Sequence, residues 1–176
     1  MQVGFIGLGI MGRPMAHNLI KGGHKLFVYG KRTVPPEIRE GATVLDSLRA
    51  VAEQSEVIVI MVPDTPDVQN VLFSADGVAA GLKPGKTVVD MSSISPIETK
   101  VFAAEIVQKG CDYVDAPVSG GEVGAKGASL TIIATAPAPA LGSKKDQSCV
   151  SASPPSTVMK RAISVAITNT LAPGDA

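Results

Sequence analysis

Up to about residue 133, the chain alternates between two hydrophobic patterns, which are short apolar runs and longer stretches with helical spacing. The short runs predict buried β-strands over Val3–Ile6, Lys25–Tyr29, Val57–Met61, Thr87–Asp90, Asp112–Ala116 and Ser129–Ile133. The longer stretches predict helices over Met11–Ile20, Ser47–Gln54, Thr65–Phe73 and Ile97–Gln108. Because strands that alternate with helices form parallel sheets covered on both faces, the pattern predicts an α/β protein with a doubly wound, mostly parallel sheet.

A glycine fingerprint lies between the first predicted strand and the first predicted helix. The six residues Gly7, Leu8, Gly9, Ile10, Met11 and Gly12 have the spacing G-x-G-x-x-G. In this context Gly7 permits a tight turn, Gly9 lets the backbone approach a pyrophosphate, and Gly12 lets the helix pack closely on the strand. The helix N-terminus also offers N–H groups to phosphate, so the six residues predict a dinucleotide site in a Rossmann-type fold. The alternative, for an isolated match, is a glycine turn that only packs.

The residues after the second predicted strand indicate which dinucleotide is bound. An acidic residue there typically binds the ribose 2′-hydroxyl of NAD, whereas this chain has Lys31 and Arg32. Two cations suit a 2′-phosphate, since the guanidinium of Arg32 offers a planar fork and Lys31 a point charge. The sequence therefore predicts NADP as the preferred cofactor, with NAD as the other possibility; a solvated basic turn is the alternative interpretation.

Composition excludes several other classes of function. Lys plus Arg and Asp plus Glu both number 16, and no basic stripe is interleaved with aromatic residues, which argues against nucleic acid as a partner. The longest aliphatic run, Val57–Val62, is too short to span a membrane, and the N-terminus does not resemble a secretory signal. Cys111 and Cys149 have no metal-type spacing. We expect a cytoplasmic protein without a metal site.

Four segments resemble the β-hydroxyacid dehydrogenase family, and within it the tartronate semialdehyde reductases (2-hydroxy-3-oxopropionate reductases). They are Gly4–Gly12 (GFIGLGIMG), Met61–Val68 (MVPDTPDV), Val89–Pro96 (VDMSSISP) and Asp115–Gly121 (DAPVSGG). The last two are more specific than the glycine fingerprint, which many nucleotide-binding proteins share. The resemblance ends near residue 134.

The resemblance implies roles for residues beyond the fingerprint. It places Val62 and Pro63 beside the cofactor ribose and Ser93 near the nicotinamide end, where ligands of open α/β sheets bind. It also implies that the loop Ser119, Gly120 and Gly121 holds the substrate carboxylate, for which glycine N–H groups and a hydroxyl are suited. The alternatives are a strand terminator for Pro63, a helix cap for Ser93, and a flexible connector for the glycine loop.

The family pattern is not continued after residue 134. Its general acid is a lysine within K-x-x-N-[NQ], and no such motif exists in this sequence, so no catalytic residue is assigned; Lys144, Lys145 and Lys160 have the wrong followers. We expect an NAD(P)-binding Rossmann domain over 1–134, followed at 135–176 by a linker-like or disordered tail. The hypothesis is that this tail is out of frame, with a diverged natural tail as the alternative. The all-helical domain through which the family closes its cleft and oligomerises is expected to be missing.

These observations favour an NAD(P)-dependent reductase that converts a small semialdehyde acid, tartronate semialdehyde, to glycerate. Because reduction of an aldehyde needs a proton donor, the chain as it stands is expected to be catalytically incomplete. A non-catalytic dinucleotide-binding module is the alternative, and an inactive fragment the third. In the first case the expected partner is a small carboxylate substrate.

Overall fold

A computed structural model describes residues 1–30 and 34–135 of the chain. The predicted cofactor residues Lys31 and Arg32 lie outside the described residues, as does the predicted tail from residue 136. The last described residue, Thr135, forms an antiparallel bridge with Asp115, in which each backbone N–H donates to the other residue's carbonyl. The described chain therefore remains attached to the main sheet at its final residue.

Six parallel strands form the main sheet. They are β1 (Gln2–Ile6), β2 (Lys25–Tyr29), β3 (Ala42–Val44), β4 (Val57–Ile60), β5 (Thr87–Asp90) and β6 (Asp112–Asp115). Their order is β3-β2-β1-β4-β5-β6, and every neighbouring pair is parallel. This order confirms the predicted Rossmann-type fold. Strands β2 and β3 lie on one side of β1, and β4 to β6 lie on the other. Folds of this type have their ligand crevice at this change in strand order, between β1 and β4.

Seven helices connect or follow these strands in the described ranges. They are α1 (Gly12–Lys21), α2 (Pro36–Arg39), α3 (Leu48–Gln54), α4 (Thr65–Phe73), α5 (Val78–Gly81), α6 (Pro96–Gln108) and α7 (Gly121–Lys126). Local signals begin two of them, because the Ser47 hydroxyl accepts from the Ala50 N–H and the Asp64 carboxylate accepts from the Thr65 N–H.

The hydrophobic core is divided into two layers by the main sheet. Along β4, Val59 packs with Met15 of α1 in one cluster, whereas Ile58 packs with Phe102 of α6 in the other. All four β4 residues are buried, since side chains of alternating direction meet helices on both faces. This burial explains why the strand reads as a continuous apolar run in the sequence.

The structure differs from the sequence-based expectation after β6. The segment Ser129–Ile133 was expected to be one strand, but only Thr131–Ile132 is a strand (β8), and it pairs antiparallel with Val118–Ser119 (β7) in a separate sheet. The glycine-rich segment before it contains α7 rather than only a connector. The sequence does not predict this helix because position 124, where the helix meets Leu130, is a glycine and not an apolar residue. The short elements α2, β3 and α5 were also missed.

Candidate functional site

A cleft of about 880 Å³ opens at the carboxyl ends of β1, β2 and β4. Gly7 to Ile10 line it after β1, Tyr29 and Gly30 line it at the end of β2, and Val62 and Pro63 line it after β4. The cleft therefore coincides with the point where the strand order reverses, which is where ligands of open α/β sheets bind.

The three fingerprint glycines differ in what a side chain at each position would contact. A Cβ on Gly7, whose φ is +103°, would overlap the Met61 carbonyl oxygen, and a Cβ on Gly12 would overlap the Gly7 carbonyl. Gly9 has no such neighbour, because a Cβ there would find no protein atom within 4 Å. The first and last glycines are thus required by the fold, whereas Gly9 is required only if something outside the protein approaches its backbone.

The start of α1 suits an anionic group. Its N-cap residue, Met11, makes no side-chain capping bond, and the first turn contains no acidic residue. Arg13, which lines the cleft, donates from Nε to the Leu8 carbonyl at 3.2 Å and so adds a positive charge at the turn. A ten-residue helix with an uncapped N-terminus, open glycine backbone and an adjacent guanidinium fits the diphosphate of a dinucleotide.

The wall formed by the β4 loop is fixed by buried polar groups that sequence reasoning missed. The Val62 N–H donates to Ser92 Oγ at 3.1 Å, and the Ser92 N–H donates to Asp90 Oδ1 at 2.9 Å. The Tyr113 hydroxyl donates to the other oxygen of Asp90 at 2.7 Å. The available signal was an acidic residue at the end of an otherwise apolar strand, which at that position must find partners within the fold.

Burial raises the pKa values of Asp90, Asp115 and Tyr113. Burial raises the pKa of the Asp90 carboxyl, although the hydrogen bonds from Tyr113 and Ser92 act in the opposite direction. The neighbouring Asp115, paired with Asp90 in the sheet register, has a pKa raised mainly by burial and also by the charge of Asp90. The pKa of Tyr113 is raised as well, chiefly by burial and then by the adjacent carboxylate. The hydroxyl therefore stays protonated as the donor.

Ser93 is exposed and follows the buried Ser92 directly. It does not line the cleft. The alternative role of Ser93 as a helix cap is not what the structure has, because the N-cap residue of α6 is Ser95, with Pro96 in the first turn.

The glycine loop expected to bind substrate leads into α7, which shares a core cluster with α1. Gly120 and Gly121 have φ values of +129° and +59°, conformations that favour glycine. The helix α7 that follows is anchored to α1, since Asn18 Nδ2 donates to the Ala125 carbonyl at 2.9 Å. Two α7 residues, Glu122 and Lys126, line the cleft, whereas Ser119, Gly120 and Gly121 do not.

No three His, Cys, Asp or Glu side chains within 1–30 and 34–135 are grouped so that they could hold a metal ion. In that same part of the chain, no helix has both the length and the apolar character needed to cross a bilayer.

Comparisons with known proteins show which family the chain resembles. The family model for the NAD binding domain of 6-phosphogluconate dehydrogenase matches residues 2–146. The 2-hydroxy-3-oxopropionate reductase of Escherichia coli (strain K12) is 54% identical over 134 residues, covering 76% of this chain and 46% of that protein.

Two solved structures extend the comparison. Psf3 in complex with NADP+ and 2-OPP has a TM-score of 0.72 and 31% identity, covering 77% of this chain and 49% of that one. The 3-hydroxyisobutyrate dehydrogenase of Mycobacterium tuberculosis, determined with L-serine, has a TM-score of 0.75 and 26% identity, covering 95% and 51%.

The chain spans about half the length of the curated relatives it matches. These matches confirm the resemblance to the hydroxyacid dehydrogenases that the sequence motifs carry. With its six-stranded parallel sheet and glycine fingerprint, the chain belongs to the family of the NAD binding domain of 6-phosphogluconate dehydrogenase.

Proposed function

We propose that this chain is the coenzyme-binding part of an NADP(H)-preferring reductase that acts on a small semialdehyde acid. The observation that carries the proposal is Gly9, whose missing side chain serves no neighbour in the protein and opens onto the cleft. The proposed coenzyme domain is residues 1–134. Within it, the proposed coenzyme contacts are Gly7 to Gly12, Lys31, Arg32, Val62 and Pro63. Ser93, outside the cleft itself, is proposed to lie near the nicotinamide end of the coenzyme.

The preference for NADP(H) has two supports. The described end of β2, Tyr29 and Gly30, contains no carboxylate for a ribose 2′-hydroxyl, and Lys31 and Arg32 follow in the sequence. The related Psf3 structure contains NADP+. Three carboxylate side chains also line the cleft, those of Glu37, Asp67 and Glu122, and each would oppose the added negative charge of a 2′-phosphate.

The proposed substrate class follows from the loop at the start of α7. Ser119, Gly120 and Gly121 are exposed, and glycine amides with a hydroxyl form an anion cradle without bulky side chains. A carboxylate held there would lie on the cleft side of the sheet, where the coenzyme supplies hydride when bound. Tartronate semialdehyde is the specific proposal, because the E. coli relative is a 2-hydroxy-3-oxopropionate reductase.

A binding module with little turnover is the second candidate. The observation that favours it is that residues 1–176 contain no K-x-x-N-[NQ] motif, so these residues by themselves have no assigned proton donor for aldehyde reduction. In this case the chain binds the dinucleotide and orients it, but it does not complete the reaction.

Titration calorimetry with NADPH and with NADH, followed by an assay of coenzyme oxidation with tartronate semialdehyde, tests these proposals. Binding with turnover supports the reductase, and binding without turnover supports the module. Binding of NADH tighter than NADPH would contradict the proposed selectivity. If well-folded protein binds neither dinucleotide, the coenzyme assignment is wrong and an inactive fragment remains.

A further inference from the structure

Two loops that leave the sheet at the cleft are joined by a chain of hydrogen bonds. The ladder between β4 and β5 ends where the Met91 N–H donates to the Ile60 carbonyl at 2.8 Å. Beyond that point, the Val62 N–H donates to Ser92 Oγ, and the Ser92 N–H donates to Asp90. The Ser92 hydroxyl thus continues the connection between the loops after the backbone ladder has stopped.

The groups behind this connection are buried, while the residue they hold faces the cleft. Asp90 is 0% exposed and Ser92 is 1% exposed, whereas Val62 lines the cleft together with Pro63. Both oxygens of Asp90 are engaged, one by Ser92 and the other by the Tyr113 hydroxyl. A carboxylate fixed from two directions holds its partners in one arrangement.

If residue 90 only filled space in the core, a carboxylate would be less favourable there than an apolar side chain. Removing a charged group from water is unfavourable unless its hydrogen bonds offset the loss, and an apolar residue avoids that penalty. Thr87, at the other end of the same strand, is a useful contrast because its buried hydroxyl has no hydrogen-bond partner in the described part of the chain. The polar groups at the Asp90 end are, unlike Thr87, hydrogen-bonded to one another and through Ser92 to the Val62 amide.

We propose that Asp90 is a positioning residue for the coenzyme, acting through Ser92 to fix the Val62 amide and the cleft wall that Val62 and Pro63 form. This inference rests on the proposed function, in which these two residues contact the coenzyme. A wall that is held in place before binding does not have to be ordered during binding, which strengthens affinity.

The test uses Ser92→Ala, Asp90→Asn and a matched control, Thr87→Val, which removes a buried hydroxyl from the same strand. Two measurements are made on the full chain. Amide hydrogen exchange at Val62, followed by NMR without coenzyme, reports the connection itself. Calorimetric titration with NADPH reports its effect on the site.

We expect Ser92→Ala to accelerate exchange at Val62 and to weaken NADPH binding about fivefold, the equivalent of one hydrogen bond. Asp90→Asn keeps one acceptor oxygen, so its loss should be smaller, about twofold. Because both residues act through one connection, the double variant should bind no more weakly than Ser92→Ala alone. Thr87→Val should neither accelerate exchange at Val62 nor weaken NADPH binding.

The possible failures are distinct. If Ser92→Ala accelerates Val62 exchange without weakening NADPH binding, or if Thr87→Val weakens binding equally, the positioning role is wrong although the coenzyme site stands. If the unaltered chain binds no NADPH, the proposed function is wrong and this inference fails with it. Additive losses in the double variant would show that Asp90 does not act through Ser92.

Discussion

Replacing Gly9 and Gly12 by alanine should separate the needs of the ligand from the needs of the fold. At Gly12 the new methyl group would overlap the Gly7 carbonyl oxygen, and it would lie 2.9 Å from the carbonyl carbon and 3.1 Å from Phe5 Cε1. Two of these neighbours are backbone atoms that cannot rotate away, so α1 must shift relative to β1. Overpacking of this kind costs about 3 kcal/mol.

At Gly9 the same methyl group meets no protein atom within 4 Å, and the residue is not in the left-handed region. We therefore expect Gly9→Ala to leave the free energy of unfolding unchanged or to raise it by about 0.5 kcal/mol, since alanine restricts the unfolded chain. Binding of NADPH should weaken at least about tenfold, the equivalent of 1.4 kcal/mol, because the methyl group occupies the space that the diphosphate needs.

Urea unfolding followed by circular dichroism measures the first quantity, and calorimetric titration with NADPH measures the second. Gly9→Val should enlarge the loss of affinity without a matching loss of stability. The reasoning is refuted if Gly9→Ala binds NADPH as tightly as the unaltered chain does, or if Gly12→Ala unfolds at the same urea concentration.

Three further predictions concern stability. Thr87→Val should raise the free energy of unfolding by about 1 kcal/mol, because its buried hydroxyl has no partner in the described residues, and urea unfolding would show a loss instead if that oxygen were paired. Lys86→Met should lower the free energy of unfolding by about 2 kcal/mol. The reason is that the Lys86 ammonium donates to the carbonyls of Glu53 and Ser55 at the end of α3, both at 2.8 Å. The control Lys83→Met, at an exposed position, should leave urea unfolding unchanged. Burial and the charge of Asp90 raise the pKa of Asp115 and so disfavour its charged form in the folded protein. Asp115→Asn should therefore become progressively more stabilising as pH rises above the ordinary carboxyl pKa of 3.8. Equal effects of the substitution in urea unfolding at acidic and at neutral pH would contradict this.

The parallel sheet and its ligand-facing turn were predictable from the sequence because local and long-range signals agree there. The run Val57–Met61 is apolar at every position, which is typical of a strand buried on both faces. Two of the fingerprint glycines, Gly7 and Gly12, are fixed by close backbone contacts at the turn between β1 and α1.

The region after β6 was less predictable because the residues that determine it are ambiguous. Glycine at 120, 121, 124 and 127 is typical of a loop, yet Gly124 lets α7 approach Leu130, and the hydrogen bond from Asn18 anchors the helix. The Asn18 contact joins residues far apart in the chain and leaves no local pattern.

The network at Asp90 was hidden for a different reason. Asp90 closes an apolar run and reads equally well as the first residue of an exposed loop. Its partner Tyr113 lies on the neighbouring strand β6, so their meeting depends on the register between the strands.

The unequal roles of the fingerprint glycines affect how such motifs should be compared among descendants of one ancestor. A lineage that abandoned its nucleotide would still be selected to retain positions 7 and 12, since most replacements there would disrupt folding. Substitutions at position 9, by contrast, would be tolerated once the nucleotide was no longer bound, because a side chain there meets no protein atom within 4 Å. That middle residue is the one whose replacement would mark a lost coenzyme.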